Sequence, residues 1–230
     1  EITAIVRNAE NAKLVLPKNV VLVEAGLTKE FLEKLENACK NQGVLVHLAA
    51  EIRFDQKTFD DNVAATLAVV DAAKKVGVNR IVYMSSTALY HNPPFLPIDE
   101  SQTPTPVDFY GRSKLEGEKI IEESKIPFVF IRTPAIYGPG FTEGFKTVVS
   151  LLRKKIMPVI GSGENRIPLV HVNDVAQALV LALTTKHVNN AFIVSNEAIT
   201  QKQALELVAK FAGVKPLALC VPVSFAVFLA

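Results

Sequence analysis

Tryptophan is missing altogether, and cysteine occurs only twice, at Cys39 and Cys220, in a chain of 230 residues. Two thiols so far apart, with no C-x-x-C, make neither a disulfide framework nor a thiolate metal site. They suit a reducing, cytoplasmic setting. Glycine is scarce, with 11 residues, where average usage of ~7% would give about 16. Neither sign of charge is in excess: 25 Lys and Arg against 23 Asp and Glu leave a net charge of +2. That balance excludes a basic face for nucleic acid and an acidic tail. The four histidines, His47, His91, His171 and His187, lack the spacing of metal ligands, so no metal is expected. The apolar run from Pro216 falls short of the ~18 residues of a membrane span. A core or interfacial helix is expected there, and membrane association is left open at that end alone.

What the chain does have is apolar residues, 49% of the total, arranged as alternating strands and helices. Strands are expected at Ile2–Val6, Val20–Val23, Gly43–Ala50, Arg80–Thr87 and Ile126–Arg132, the first β-branched and apolar without alternation, as in a parallel strand covered on both faces. Helices are expected at Leu27–Gln42, with Thr28 as N-cap, and at Phe59–Val76, with Leu67, Val70 and Ala73 buried. A proline-rich loop, with Pro93, Pro94, Pro97, Pro104 and Pro106, leads to a helix over 108–121. Beyond Gly140 the pattern loosens. Helices follow at 144–155, after a cap at Asn173 or Asp174, and from Thr200 to Ala212, with strands at Leu169–Val172 and Ala191–Ser195. The fold class is α/β, a doubly wound parallel sheet over 1–140, followed by a smaller α/β lid over 141–230. In such sheets ligands bind beyond the carboxyl ends of the strands.

One stretch carries chemistry: Asp108-Phe-Tyr-Gly-Arg-Ser-Lys-Leu-Glu-Gly-Glu. Tyr110 and Lys114 are four apart on a helix and so share a face. A neighbouring ammonium favours phenolate and is expected to pull the Tyr110 pKa down from about 10, as a general acid/base requires. Leu115, Ile120 and Ile121 form the expected buried side, while Glu116, Glu118 and Lys119 face water. The hydroxyls Ser85, Ser86 and Thr87 end one strand, and small residues end another at Ala49 and Ala50.

Five motifs in order, VHLAA (46–50), Asn62 in DDNVAAT, YMSSTALY (83–90), YGRSK (110–114) and IRTPAIYGPG (131–140), resemble the extended short-chain dehydrogenase/reductase family. That family has a Rossmann-type sheet and includes the NAD-dependent epimerase/dehydratases. The resemblance implies Ser86, Tyr110, Lys114 and Asn62 as catalytic residues. It implies a cofactor held by Arg7, Leu48, Ala49, Ala50, Ser85, Tyr110, Lys114, Pro134 and Ile136. Arg7, where NAD-preferring members carry Asp or Glu, favours NADP(H) over NAD. Ala25-Gly26-Leu27 lacks the acidic residue that accepts from adenine.

The family's glycine fingerprint after its first strand is absent from this sequence. That strand lies at the centre of the family's sheet. Without it, Ile2–Val6 and Val44–Leu48 are expected to have no bridge to Ile81–Tyr83, and the chain to bind dinucleotide weakly and self-associate through open edges.

Arg166 stands one position further from His171 than the nucleotide-sugar enzymes' diphosphate-binding pattern asks. The segment looks more like the 3β-hydroxysteroid dehydrogenase and dihydroflavonol-reductase branches, and Phe141, Phe145, Val148, Leu151 and Leu152 offer apolar lining. The reading is therefore an NAD(P)-dependent oxidoreductase acting on a ketone or secondary alcohol. The alternatives are a nucleotide-sugar epimerase/dehydratase and a non-catalytic NAD(P)-binding protein or inactive fragment. The partner is a small-molecule substrate, and a homodimer is compatible with the resemblance.

Overall fold

The computed structural model describes residues 1–53, 55–140, 143–215 and 218–221. They divide into two compact units: residues 1–133 with 177–193, and residues 134–176 with those from 194 onward.

The first unit holds β1 (Ile2–Val6), α1 (Ala9–Lys13), β2 (Val20–Glu24), α2 (Leu32–Cys39), β3 (Val44–His47), α3 (Gln56–Val76), β4 (Arg80–Ser86), α4 (Phe109–Ser124) and β5 (Phe128–Thr133). It is completed by the later part of α6 (Val172–Thr184) and by β10 (Asn190–Ile193). β10, β5, β4 and β3 form a parallel sheet in that order, with Val44 opposite Arg80 and Ile81 opposite Phe128. β1 and β2 pair in parallel as a separate sheet. The expectation that Val44–Leu48 would have no bridge to Ile81–Tyr83 is thus overturned, because β3 hydrogen-bonds β4 directly. Among the described residues it is β1 and β2 that stand apart.

Strand alternation decides which side chains meet the helices. Ile81, Tyr83 and Phe130 project toward α3 and α4, where they pack with Val70, Ala73 and Ile121. A second cluster of Ala25, Leu35, Ala68 and Ala72 receives Ile5 of β1, so small alanines let α3 lie close to its neighbours. On the opposite face Arg80 donates to the carbonyls of Ala182 and Thr185, tying the end of α6 to β4, each bond 2.8 Å. α3 is closed at both ends by its sequence. Asp55 accepts from the Thr58 amide, and Gly77 takes the left-handed conformation that ends the helix.

Several local expectations are corrected. Leu67 is 38% exposed while Val70 and Ala73 are buried, because the face that α2 and α4 cover is lined by alanines and valines. Thr28 precedes a short 3-10 turn, Lys29–Phe31, and makes no side-chain cap bond. The third strand stops at His47, leaving Leu48, Ala49 and Ala50 in the loop beyond it. Asn173 and Asp174 lie in the first turn of α6, which begins one residue earlier, at Val172.

The second unit contains β6 (Ala135–Tyr137), α5 (Glu143–Arg153), β7 (Met157–Ile160), β8 (Arg166–Ile167), β9 (Leu169–His171), β11 (Ile199–Thr200), α7 (Gln201–Ala212) and β12 (Ala218–Val221). Its strands pair two by two, β6 with β9, β8 with β11 and β7 with β12. Thr200 opens α7 through a complete capping box with Gln203. Of the five apolar residues suggested as lining, Leu152 is buried at 1% exposure, and Phe141 lies outside the described residues. No helix among the described residues is long and apolar enough to cross a membrane.

Candidate active site

Ser86 is the last residue of β4, and Tyr110 the second of α4. Asp108 caps α4 by accepting from the Gly111 amide at 2.7 Å, which fixes where the helix begins. Gly111 fixes how close it comes, since a Cβ there would stand 2.5 Å from the Ala88 carbonyl oxygen. With glycine, the first turn of α4 rests on the turn Thr87–Leu89 that follows Ser86. The Tyr110 phenol thereby comes within reach of the Ser86 hydroxyl, which favours its phenolate form. Ser86 Oγ also accepts from the Ala88 amide at 3.1 Å and reaches the Thr133 carbonyl at 3.4 Å.

Burial pushes the Tyr110 phenol above its ordinary value; the bond from Ser86 works against this, and the Asp108 charge adds to it. The expected lowering by Lys114 is corrected here, because desolvation of the phenolate outweighs the other influences. Lys114 is itself 1% exposed. Its ammonium donates to the Met84 carbonyl at 2.7 Å and lies 5.8 Å from the centre of the Tyr110 ring. Burial lowers its pKa to about 8, against an opposing pull from Glu118.

Asn62 is buried on α3 and its side chain is fully engaged. It accepts from the Glu51 amide at 2.8 Å, donates to the Glu51 carbonyl at 3.0 Å and donates to Ser113 Oγ at 3.0 Å. Ser113 in turn donates to the Tyr110 carbonyl at 2.8 Å. Asn62 thus ties the loop after β3 to the first turn of α4.

Sequence reasoning missed the charged pair beside this group. Glu118, expected in water, is 3% exposed. It takes a two-pronged ion pair from Arg132, with Nε at 3.0 Å and Nη2 at 2.6 Å, while Arg132 Nη1 donates to Tyr90 Oη at 2.6 Å. The available signal was periodicity: Tyr110, Lys114 and Glu118 recur every four residues on one helix face.

The remaining candidates are more dispersed. Leu48, Ala49 and Ala50 are exposed beyond β3, and Arg7 is exposed beyond β1. Near Arg7, Glu24 Oε2 accepts from the Ala9 amide at 2.7 Å. Ser85 is buried, and its hydroxyl has no hydrogen-bond partner among the described residues. Pro134 and Ile136 belong to the second unit, where Ile136 pairs with Val170. Arg166 is exposed there and donates to the Ala198 carbonyl at 3.1 Å. The described residues contain no cluster of three or more potential metal ligands.

Residues 1–195 match the family described as NAD dependent epimerase/dehydratase. The UDP-glucose 4-epimerase of Vibrio cholerae is 30% identical over 173 residues, 68% of this chain and 53% of that protein. The decarboxylating sterol-4-alpha-carboxylate 3-dehydrogenase ERG26 of Saccharomyces cerevisiae is 30% identical over 165 residues, 65% of this chain and 47% of that protein. Among solved structures, the Bordetella bronchiseptica enzyme WbmG in complex with NAD superposes with a TM-score of 0.81 at 25% identity, covering 96% of this chain and 73% of that one. The chain spans about half the length of the curated relatives it matches.

Proposed function

Because the chain belongs to the NAD-dependent epimerase/dehydratase family of enzymes, we propose that it acts on a nucleotide sugar, as an epimerase or dehydratase using NAD. The observation that carries the reading is the convergence of Ser86 and Tyr110 beside Lys114, in a chain 30% identical to a UDP-glucose 4-epimerase. This replaces the preference for a simple ketone or alcohol substrate. That preference rested on the spacing around Arg166, whereas the family match spans residues 1–195.

The residues at the carboxyl ends of the strands fit the nicotinamide half of such a cofactor. Small, exposed Ala49 and Ala50 leave room beyond β3, and the Ser85 hydroxyl is buried without a partner among the described residues. Bound NAD would accept the hydride from the sugar carbon. Tyr110 takes the proton of the reacting hydroxyl and returns it in the reverse direction. Ser86 hydrogen-bonds the same oxygen and keeps the phenol aimed at it. Lys114 places a positive charge 5.8 Å from the Tyr110 ring, on the side of the helix where phenolate develops. Asn62 acts at one remove, by fixing the turn that carries Tyr110.

A second reading, dehydrogenation of an apolar secondary alcohol, draws support from the resemblance to the yeast sterol dehydrogenase. Incubation with NAD and a panel of UDP- and dTDP-sugars, beside a panel of ketones and sterol alcohols, separates the two. Epimerised or dehydrated sugar that disappears with Tyr110→Phe is the expected result. Turnover of the ketones and alcohols alone would overturn the nucleotide-sugar reading.

A further inference from the structure

We propose that Tyr83 is a positioning residue for Lys114: its ring is the platform that carries the ammonium, and Gly117 is the recess that holds the ring in place. The proposal rests on the role given to Lys114 above and extends it to a residue outside the Ser86, Tyr110 and Lys114 group.

The geometry is specific. Lys114 Nζ stands 4.8 Å from the centre of the Tyr83 ring, nearer than the 5.8 Å to Tyr110. Its hydrogen bond goes to the carbonyl of Met84, the residue after Tyr83. One short stretch of β4 therefore supplies both a carbonyl and an aromatic face to the same cation. The negative face of a ring attracts an ammonium most strongly where water is excluded, and both side chains are 1% exposed.

Tyr83 is itself clamped on several sides. His47 of β3 stacks on it with centroids 5.3 Å apart, and Phe130 of β5 meets it edge-on at 6.1 Å. Its hydroxyl lies against Gly117, one turn after Lys114, where a Cβ would stand only 2.5 Å from the oxygen. Glycine in a helix interior is less favourable than alanine, and this contact is a reason for it. The titratable and charged groups around Lys114 are Tyr110 and Glu118 on α4, Tyr83 on β4, His47 on β3, and Arg132 on β5 through its pair with Glu118. Of the packed residues on α3, Asn62 and Thr66 are uncharged.

The test follows the lysine itself, with neither cofactor nor substrate present, so that it succeeds or fails independently of the proposed reaction. Isotope-labelled lysine Cε resonances, with Lys114→Arg used to assign the signal, report its titration midpoint. Tyr83→Leu removes the ring and is expected to lower the midpoint by about one pH unit, whereas Tyr83→Phe restores it. Gly117→Ala displaces the ring and shifts the midpoint in the same direction. Should Tyr83→Leu fail to fold, phenylalanine and its mono-, di- and trifluorinated forms at position 83 keep the shape while draining the ring face of charge. The midpoint should then fall stepwise with fluorination. A midpoint indifferent to fluorination, or unchanged in folded Tyr83→Leu, would overturn the proposal.

Discussion

Lys114 and Tyr110 lie one turn apart on α4, yet the ammonium of Lys114 stands closer to the Tyr83 ring, at 4.8 Å, than to the Tyr110 ring, at 5.8 Å. The helix sets the lysine beneath the tyrosine, and the sheet decides where its charge rests. Local spacing brings the two groups to one face, while burial controls their protonation.

The phenol is expected to be the group that moves the proton. Tyr110→Phe should keep the fold, since Ser113 reaches the Tyr110 backbone rather than its side chain. Turnover of the nucleotide sugar should fall by roughly 10²–10⁴-fold, the usual contribution of a positioned acid/base. Steady-state assays beside circular dichroism check this, and undiminished turnover would remove Tyr110 from the reaction.

Burying Lys114 weakens the fold in a pH-dependent way. Its pKa is about 8 in the folded chain against an ordinary 10.5, so between those values the unfolded chain holds a proton that the folded one releases. Stability linked to this group therefore rises as pH increases from about 8 toward 10.5, and its full cost is present below 8. Lys114→Met is expected to stabilise the protein at pH 7 by roughly 2–3 kcal/mol. The gain should shrink as pH approaches the ordinary lysine value. Urea unfolding of both proteins across that range measures it, and a gain independent of pH would count against a buried ammonium.

Glu118 and Arg132 form an ion pair with side chains 4% and 9% exposed. Removing one partner leaves the other charge buried, so Glu118→Ala should destabilise the fold by roughly 3–5 kcal/mol. The double variant Glu118→Leu with Arg132→Met should recover much of that loss. Thermal unfolding of the single and double variants decides this; a harmless Glu118→Ala would show that water reaches Arg132.

Arg7 is exposed beyond β1, and the expectation that it meets an additional phosphate can be tested directly. If it touches one, Arg7→Ala should weaken NADP(H) binding roughly tenfold to a hundredfold, at ~1.5–3 kcal/mol for a charge-assisted contact. Affinity for NAD should stay the same. Calorimetric titration with each cofactor checks the difference, and equal losses for both would assign Arg7 to the shared part of the dinucleotide.

The sequence by itself determined what depends on near neighbours in the chain. The four-residue spacing of Tyr110 and Lys114 puts them on one helix face wherever that helix packs. Thr200 with Gln203 closes a capping box, and Gly77 ends α3 in a left-handed turn. The run of strands and helices also fixed the parallel α/β class, because each signal is read over a dozen residues. Only the tertiary structure decided which faces are covered and which strands meet. Glu118 reads as solvent-facing by composition and is buried because Arg132, fourteen residues away, projects from β5 to meet it. Leu67 reads as core and stays half-exposed, since alanines and valines occupy the packed side of α3. β3 joins β4, while β1 stays with β2 in a sheet of its own. The protonation of Tyr110 likewise depends on desolvation by distant segments, so spacing alone gave the wrong sign. Helical periodicity and capping are short-range and survive in the linear chain, whereas burial and strand pairing depend on partners far away in sequence.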